Sequence, residues 1–165
     1  MLERASRLRD SKVGCPQCVA QLRQDCPMEI RLISQKDLGF VLEASHLFDG
    51  PAQLDATQRF LCEQGHHLLI AYEEGQPAGF VSGVEVTHPD KGTEMFLYEL
   101  GVDEQFRRRG IGRALIERLK TIAQERGCYA MWVITGQNNA AALAAYESSG
   151  GATESGQVVV VWSLC

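Results

Sequence analysis

Residues 29–33, Glu29-Ile30-Arg31-Leu32-Ile33, alternate polar and apolar positions, the period-two pattern of a strand with one covered face. Ser34 and Asp37 then offer capping oxygens for a helix reaching about His46, which Gly50-Pro51 breaks. A second helix is predicted from about Ala52, with Leu54, Phe60 and Leu61 on one face and Gly65 as its stop. Two apolar runs follow, at 67–72 and 78–86, and Glu73-Glu74-Gly75-Gln76-Pro77 between them has hairpin chemistry. After a looser stretch at 87–93, the run 94–102 is too apolar for a surface strand and is expected at the centre of a sheet.

From Gly110 to Arg126 the period changes. Ile111, Leu115, Leu119, Ile122 and Ala123 recur at three- and four-residue steps, and Arg113, Glu117, Lys120, Gln124 and Glu125 point away, so an amphipathic helix is predicted with Gly127 as its stop. A buried strand over 129–134 follows. Asn138 or Asn139 is expected to cap an alanine-rich helix ending at Gly150, and 158–162 closes the order as a strand. Strands and helices alternate in the manner of an α/β layer protein.

Composition narrows the picture. The chain has 165 residues, 45% of them hydrophobic, which suits one core. The expected division is an N-terminal extension at 1–27, poorly ordered, and a single domain at 28–165. No apolar run approaches the roughly 20 residues that span a bilayer. The first ten residues carry Glu3, Arg4, Arg7, Arg9 and Asp10 without an apolar stretch, so no membrane partner and a cytoplasmic location are expected. A net charge of −5 argues against a nucleic-acid partner and suits a cationic one.

Cys15-Pro16-Gln17-Cys18 is a CxxC with Cys26 nearby, but no histidine or second CxxC completes four zinc ligands, and no strand precedes it as a redox motif requires. No metal is expected. Cys62 and Cys128 sit among apolar neighbours and read as small core residues. His66 and His88 read as loop residues.

The chemistry gathers around 98–112. An apolar run leads into Arg107-Arg108-Arg109-Gly110-Ile111-Gly112, and a helix starts at once. The first amides of a helix lack intrahelical partners and lie at the positive end of its dipole. Gly110 and Gly112 keep Cβ atoms out of the way of an approaching anion, and three arginines add charge. The spacing is neither GxxxxGK[ST] nor GxGxxG, so this phosphate cradle is not a P-loop or a dinucleotide fingerprint.

The segment Val102-Asp103-Glu104-Gln105-Phe106-Arg107-Arg108-Arg109-Gly110-Ile111-Gly112 resembles the acetyl-CoA signature of the GNAT superfamily, [Q/R]-x-x-G-x-[G/A] after a strand. Asn139 through Gly150 is similar to the second signature, N-x-x-A-x-x-x-Y-x-x-x-G. Gly151 departs from the aromatic or aliphatic residue usual after that glycine. Phe96-Leu97-Tyr98-Glu99-Leu100-Gly101-Val102 and Phe48-Asp49-Gly50-Pro51 look like the aminoglycoside 3-N-acetyltransferases within the superfamily. The resemblance implies the GNAT acyltransferase fold, a mixed sheet of about six to seven strands flanked by about four helices. It also implies acetyl-CoA as cosubstrate, a cationic aminoglycoside as acceptor, antibiotic resistance as the role, and a homodimer.

Expected site residues follow. Glu99 is the candidate base, placed with Leu97 and Gly101 on one strand face and acting directly or through a water. Tyr98 and Glu99 are expected at the acceptor, which the carboxylate would also hold by charge. Tyr146 is the candidate acid for the departing thiolate, and Asn139, seven residues earlier, would bond the pantetheine. The resemblance assigns Leu100, Gly101 and Val102, around a bulge, to pairing with that arm, with the Val102 amide at the thioester oxygen. Arg107, Arg108, Arg109, Gly110, Ile111 and Gly112 would hold the diphosphate. Transfer is expected by direct attack in a ternary complex, because no histidine stands beside Cys128 to make it a nucleophile. The alternatives are a different amine (polyamine, amino acid or protein N-terminus) or a binding module without turnover.

Overall fold

The computed structural model describes residues 28–164; the extension at 1–27 with Cys15, Cys18 and Cys26 lies outside the described residues. Strand β1 (Glu29–Leu32) leads through a 3₁₀ turn (Gln35–Asp37) into α1 (Leu38–Glu43) and a second 3₁₀ turn (Ala44–Leu47). Then come α2 (Leu54–Cys62), β2 (His66–Glu73), β3 (Gln76–His88), β4 (Gly92–Val102) and a 3₁₀ turn (Glu104–Phe106). Helix α3 (Ile111–Glu125), β5 (Ala130–Trp132) and α4 (Ala140–Ser148) complete the order.

The sheet runs β1-β2-β3-β4-β5. Its first four strands are antiparallel, and β5 joins β4 in parallel after the α3 crossover. Alternation along β2 feeds two cores. Leu69 and Ala71 enter a cluster with Val81, Met95, Leu97 and the α3 residues Ile111, Leu115, Leu119 and Ile122. Leu68, Ile70 and Tyr72 enter a second with Phe80, Ile33 and Val41 on the other face. Cover on both faces explains why β2 reads as one apolar block. Each fully buried Leu or Ile, such as Leu69, Ile70 and Leu115, contributes about 1.5–3 kcal/mol.

A charged clamp joins β2, β3 and the end of α3. His67 Nε2 and Glu85 Oε1 are 2.7 Å apart, and Arg126 donates from Nε to the same carboxylate at 2.6 Å. Those partners hold the Glu85 carboxyl below its usual range against the opposing effect of burial.

Several expectations need correction. Among the described residues the sheet has five strands, and 158–162 forms no strand in it. Strand β4 lies inside the sheet between β3 and the edge strand β5, in keeping with its apolar run, and its buried residues Met95 and Leu97 enter the α3 cluster. The β2–β3 hairpin turns on two residues, Glu74 at φ 52° and Gly75 at φ 78°, both left-handed as a type I′ turn demands. Pairing runs close to the turns, so His66 and His88 are strand residues. Cys62 is exposed because α2 turns Phe60 and Leu61 to the core, while Cys128 is half-buried.

Candidate active site

The β4–β5 ladder is short. Glu94↔Ala130, Met95↔Met131 and Phe96↔Trp132 pair, and there the ladder stops, although β4 continues to Val102. Past Phe96 the main-chain groups of β4 that point away from β3 face no strand. Backbone donors and acceptors on a partly buried edge call for a partner, and an extended chain of amides fits that edge as a strand would. Leu100 and Val102 turn their side chains into the α3 cluster. The start of α3 sits against them: a Cβ on Gly112 would lie 3.7 Å from Val102 Cγ2 and 4.0 Å from Leu100 Cδ2.

The loop into α3 is built by three devices. The Asp103 carboxylate accepts from the Gln105 amide at 2.9 Å and caps the 3₁₀ turn, whose Phe106 is buried as an anchor. Arg108 takes φ 65°, rare for a residue with a Cβ, and Gly110 takes φ 83° as the residue before the helix. The Ala114 amide donates to Gly110 O at 3.0 Å, which leaves the earlier amides of Ile111, Gly112 and Arg113 as the unpaired donors of the helix start. Nothing lies within 4 Å of a Cβ built on Gly110, so its role is conformational.

The three arginines are not equivalent. Arg107 donates from Nε to Val102 O at 3.2 Å and pairs with Glu104 at 3.2 Å. Arg109 pairs with Glu73 at 3.5 Å and lies over the Phe106 ring. Among the described residues Arg108 has no such partner, so its charge is the one left free beside the loop.

Glu99 does not share a face with Leu97. Ser82 pairs with Glu99 and Gly83 with Leu97, so Tyr98 is an extra residue, a β-bulge. The bulge expected at 100–102 is therefore at Tyr98, and it reverses the alternation. Leu97 enters the α3 cluster, while Glu99 and Gly101 turn to the opposite side, beneath the segment after the second 3₁₀ turn. There Phe48 packs edge-on against Phe80 with centroids 4.5 Å apart. Burial, then repulsion from Asp49, push the Glu99 carboxyl above its usual range, partly offset by the Asp49 backbone amide.

Tyr146 is half-buried against the same cluster as Leu100 and Val102, and burial raises its phenol above the usual range. Asn139 sits at the N-cap of α4, where its Oδ1 accepts from the Ala142 amide at 3.2 Å. That oxygen serves the helix with one of its lone pairs, and the amide nitrogen is left to donate to a ligand. The departure at Gly151 has a local cause. Its amide donates to Tyr146 O at 2.9 Å, and a Cβ there would stand 3.0 Å from that oxygen.

The structure thus brings Leu100, Val102, Gly112 and Tyr146 to the α3 side of β4 and Glu99 with Gly101 to the other side. Tyr98, at the bulge, is 67% exposed. Asp49 is the site residue that sequence reasoning left without a role. Its signal was the Phe48-Asp49-Gly50-Pro51 segment, which only the fold carries to Glu99.

Comparison with known proteins identifies the family and the fold. The Acetyltransferase (GNAT) family profile matches residues 30–151. N-acetyltransferase 8 of Homo sapiens is 29% identical over 110 residues, 66% of this chain and 48% of that protein. The [Ribosomal protein bS18]-alanine N-acetyltransferase of Salmonella typhimurium is 44% identical over 57 residues, 34% of this chain and 38% of that protein. The chain therefore matches less than half the length of these relatives. In fold, it superposes with a TM-score of 0.76 at 20% identity on the aminoglycoside acetyltransferase meta-AAC0020, from an uncultured soil metagenomic sample, in complex with sisomicin; 83% of this chain and 96% of that one are covered. Against AAC(6')-Iy in complex with the bisubstrate analogue CoA-S-monomethyl-acetylneamine the TM-score is 0.70 at 22% identity, covering 84% and 99%. With the family profile spanning most of the sheet, the phosphate-type loop and α4, this chain belongs to the GNAT acetyltransferase family.

Proposed function

We propose that the protein transfers acetyl from acetyl-CoA to a primary amine of a small polycation of the aminoglycoside class. The 3-amino group is the position favoured by the sequence resemblance. The observation that carries this reading is the half-buried Glu99 carboxylate on β4, whose pKa is raised by burial first and by the nearby Asp49 carboxylate second. An ammonium-rich acceptor relieves that repulsion, which a neutral one does not. The solved structures of like fold whose complexes contain sisomicin and acetylneamine support the same acceptor class.

In this mechanism the α3 amides and Arg108 hold the diphosphate, and the free edge of β4 pairs with the amides of the pantetheine arm. Glu99, directly or through a water, accepts a proton from the acceptor ammonium. The amine nitrogen then attacks the thioester carbon, with the Val102 amide at the carbonyl oxygen. A C–N bond forms as the C–S bond breaks; the nitrogen releases its second proton to solvent, and the thiolate takes one from the Tyr146 hydroxyl, which solvent restores.

An acceptor screen that follows thiol release tests the reading. Saturable turnover with gentamicin-type compounds is expected, with the acetyl group located on the 3-amino nitrogen by NMR of the product. Acetylation at another amine of the antibiotic would correct the regiochemistry alone. Turnover confined to peptides beginning with alanine would replace the acceptor; the 44% identity to the bS18-alanine enzyme favours that second reading.

A further inference from the structure

Strand alternation leaves three aromatic rings of the sheet outside both cores. Met95 and Leu97 of β4 and Met131 of β5 point to the α3 cluster, so Phe96, Tyr98 and Trp132 stand on the opposite side. The second cluster, on that side, reaches Phe80 of β3 and includes no residue of β4 or β5. Tyr98 is 67% exposed and Trp132 39%.

The rings form a ladder across the two strands. Phe96 and Trp132 are register partners, stacked at 28° with centroids 4.4 Å apart, and Tyr98 meets Phe96 edge-on at 5.8 Å. Such a cross-strand pair steadies a short ladder. The indole and phenol surface left in the open beyond it marks a contact with another molecule.

Acidic groups bracket the ladder. The bulge puts Glu99 on the same side, next to Tyr98 and near Asp49. Glu94, two residues before Phe96, lies at the other end, where its carboxylate accepts from the Tyr129 hydroxyl at 2.6 Å. None of the ion pairs among the described residues engages these three carboxylates. Aromatic faces between unneutralised carboxylates complement a molecule that alternates apolar ring faces with ammonium groups. An ammonium over an indole is attracted by the ring quadrupole, tryptophan being the best such partner.

We infer that Trp132, backed by Phe96, is a specificity-determining contact for the acceptor: with the reacting amine at Glu99, an acceptor of two or more ammonium-bearing rings lays a second ring against the indole. The inference rests on the aminoglycoside reading above and adds that a single ring leaves part of the site empty.

Kinetics of the full chain test it, with a gentamicin-type compound as substrate and the single ring 2-deoxystreptamine as competitor. Trp132→Ala is expected to raise KM for the multi-ring acceptor about tenfold. The same variant keeps kcat, KM for acetyl-CoA and the inhibition constant of 2-deoxystreptamine close to wild type, and Trp132→Phe recovers most of the loss. A merely structural role would move the acetyl-CoA and 2-deoxystreptamine constants as well, and that result would overturn the inference. An unchanged KM for the multi-ring acceptor would overturn it and leave the aminoglycoside reading standing. No turnover with any aminoglycoside would sink both. In a Trp162→Phe background Trp132 is the one tryptophan of the chain, and its emission is expected to change saturably with the multi-ring acceptor. That measurement decides the matter if Trp132→Ala does not fold. Emission indifferent to the acceptor would overturn the inference, whether residues 1–27 or a second copy then covers the ring.

Discussion

A β-carbon on Gly101 would stand 2.5 Å from Cε1 of Phe80 and 3.1 Å from the carbonyl oxygen of Leu47. Phe80 is itself held by Phe48 across a T-shaped contact and is 1% exposed, so it has no room to yield. Gly101→Ala is expected to destabilise the fold by about 1–3 kcal/mol, the usual consequence of overpacking. Urea denaturation at unchanged m-value measures it. A loss below a few tenths of a kcal/mol would show that the segment around Phe48 moves aside freely.

The raised Glu99 carboxyl sets a pH dependence. A base must be unprotonated, so kcat/KM is expected to fall on the acid side through a pKa above the ordinary 4.5 of a glutamate. Asp49→Asn removes like-charge repulsion and moves that limb to lower pH. Glu99→Gln abolishes the limb and lowers kcat by about 10²–10⁴-fold, with CoA affinity little changed. A pH profile of Asp49→Asn identical to wild type would remove Asp49 from the site.

Gly110 tests the loop. At φ 83° an alanine is strained by about 1–2 kcal/mol, and relief of that strain turns the first amides of α3 out of line. Gly110→Ala is expected to weaken CoA binding about tenfold by calorimetry, a change of about 1.4 kcal/mol. Gly136→Ala is the control, since nothing lies within 4 Å of its missing Cβ either and its φ is not left-handed.

Glu85 carries a stability prediction. Its folded pKa is lowered, so the His67–Glu85–Arg126 clamp contributes fully above the unfolded carboxyl pKa and is lost as pH falls through the lower folded value. Glu85→Gln should lower the melting temperature at neutral pH, and the gap to wild type should close as pH falls through the lowered folded pKa of Glu85. A gap that persists in acid would mean packing, not charge, carries the effect.

Much of this was legible in the sequence, and the exceptions have physical causes. The α3 pattern and Gly127, the Asn139 cap and the loop glycines depend on residues a few positions apart, and the structure places them as the spacing predicts. What stayed hidden needs partners far along the chain. The bulge at Tyr98 is a mismatch between β3 and β4 that neither strand records alone. Asp49 reaches Glu99 through a fold-back across fifty positions of chain. The run at 158–162 reads as a strand by composition, yet it pairs with no strand among the described residues.

The surplus residue at Tyr98 makes β4 a strand with two opposite allegiances. Upstream of it Leu97 belongs to the α3 core; downstream, Glu99 belongs to the other layer. Pairing Tyr98 into a regular ladder, with no bulge, would turn the Glu99 carboxylate to the face of Leu97 and the α3 cluster. Loss of the bulge with Tyr98 retained would therefore reassign every side chain from Glu99 to Val102 at a stroke, whereas loss of the residue itself would leave those faces as they are.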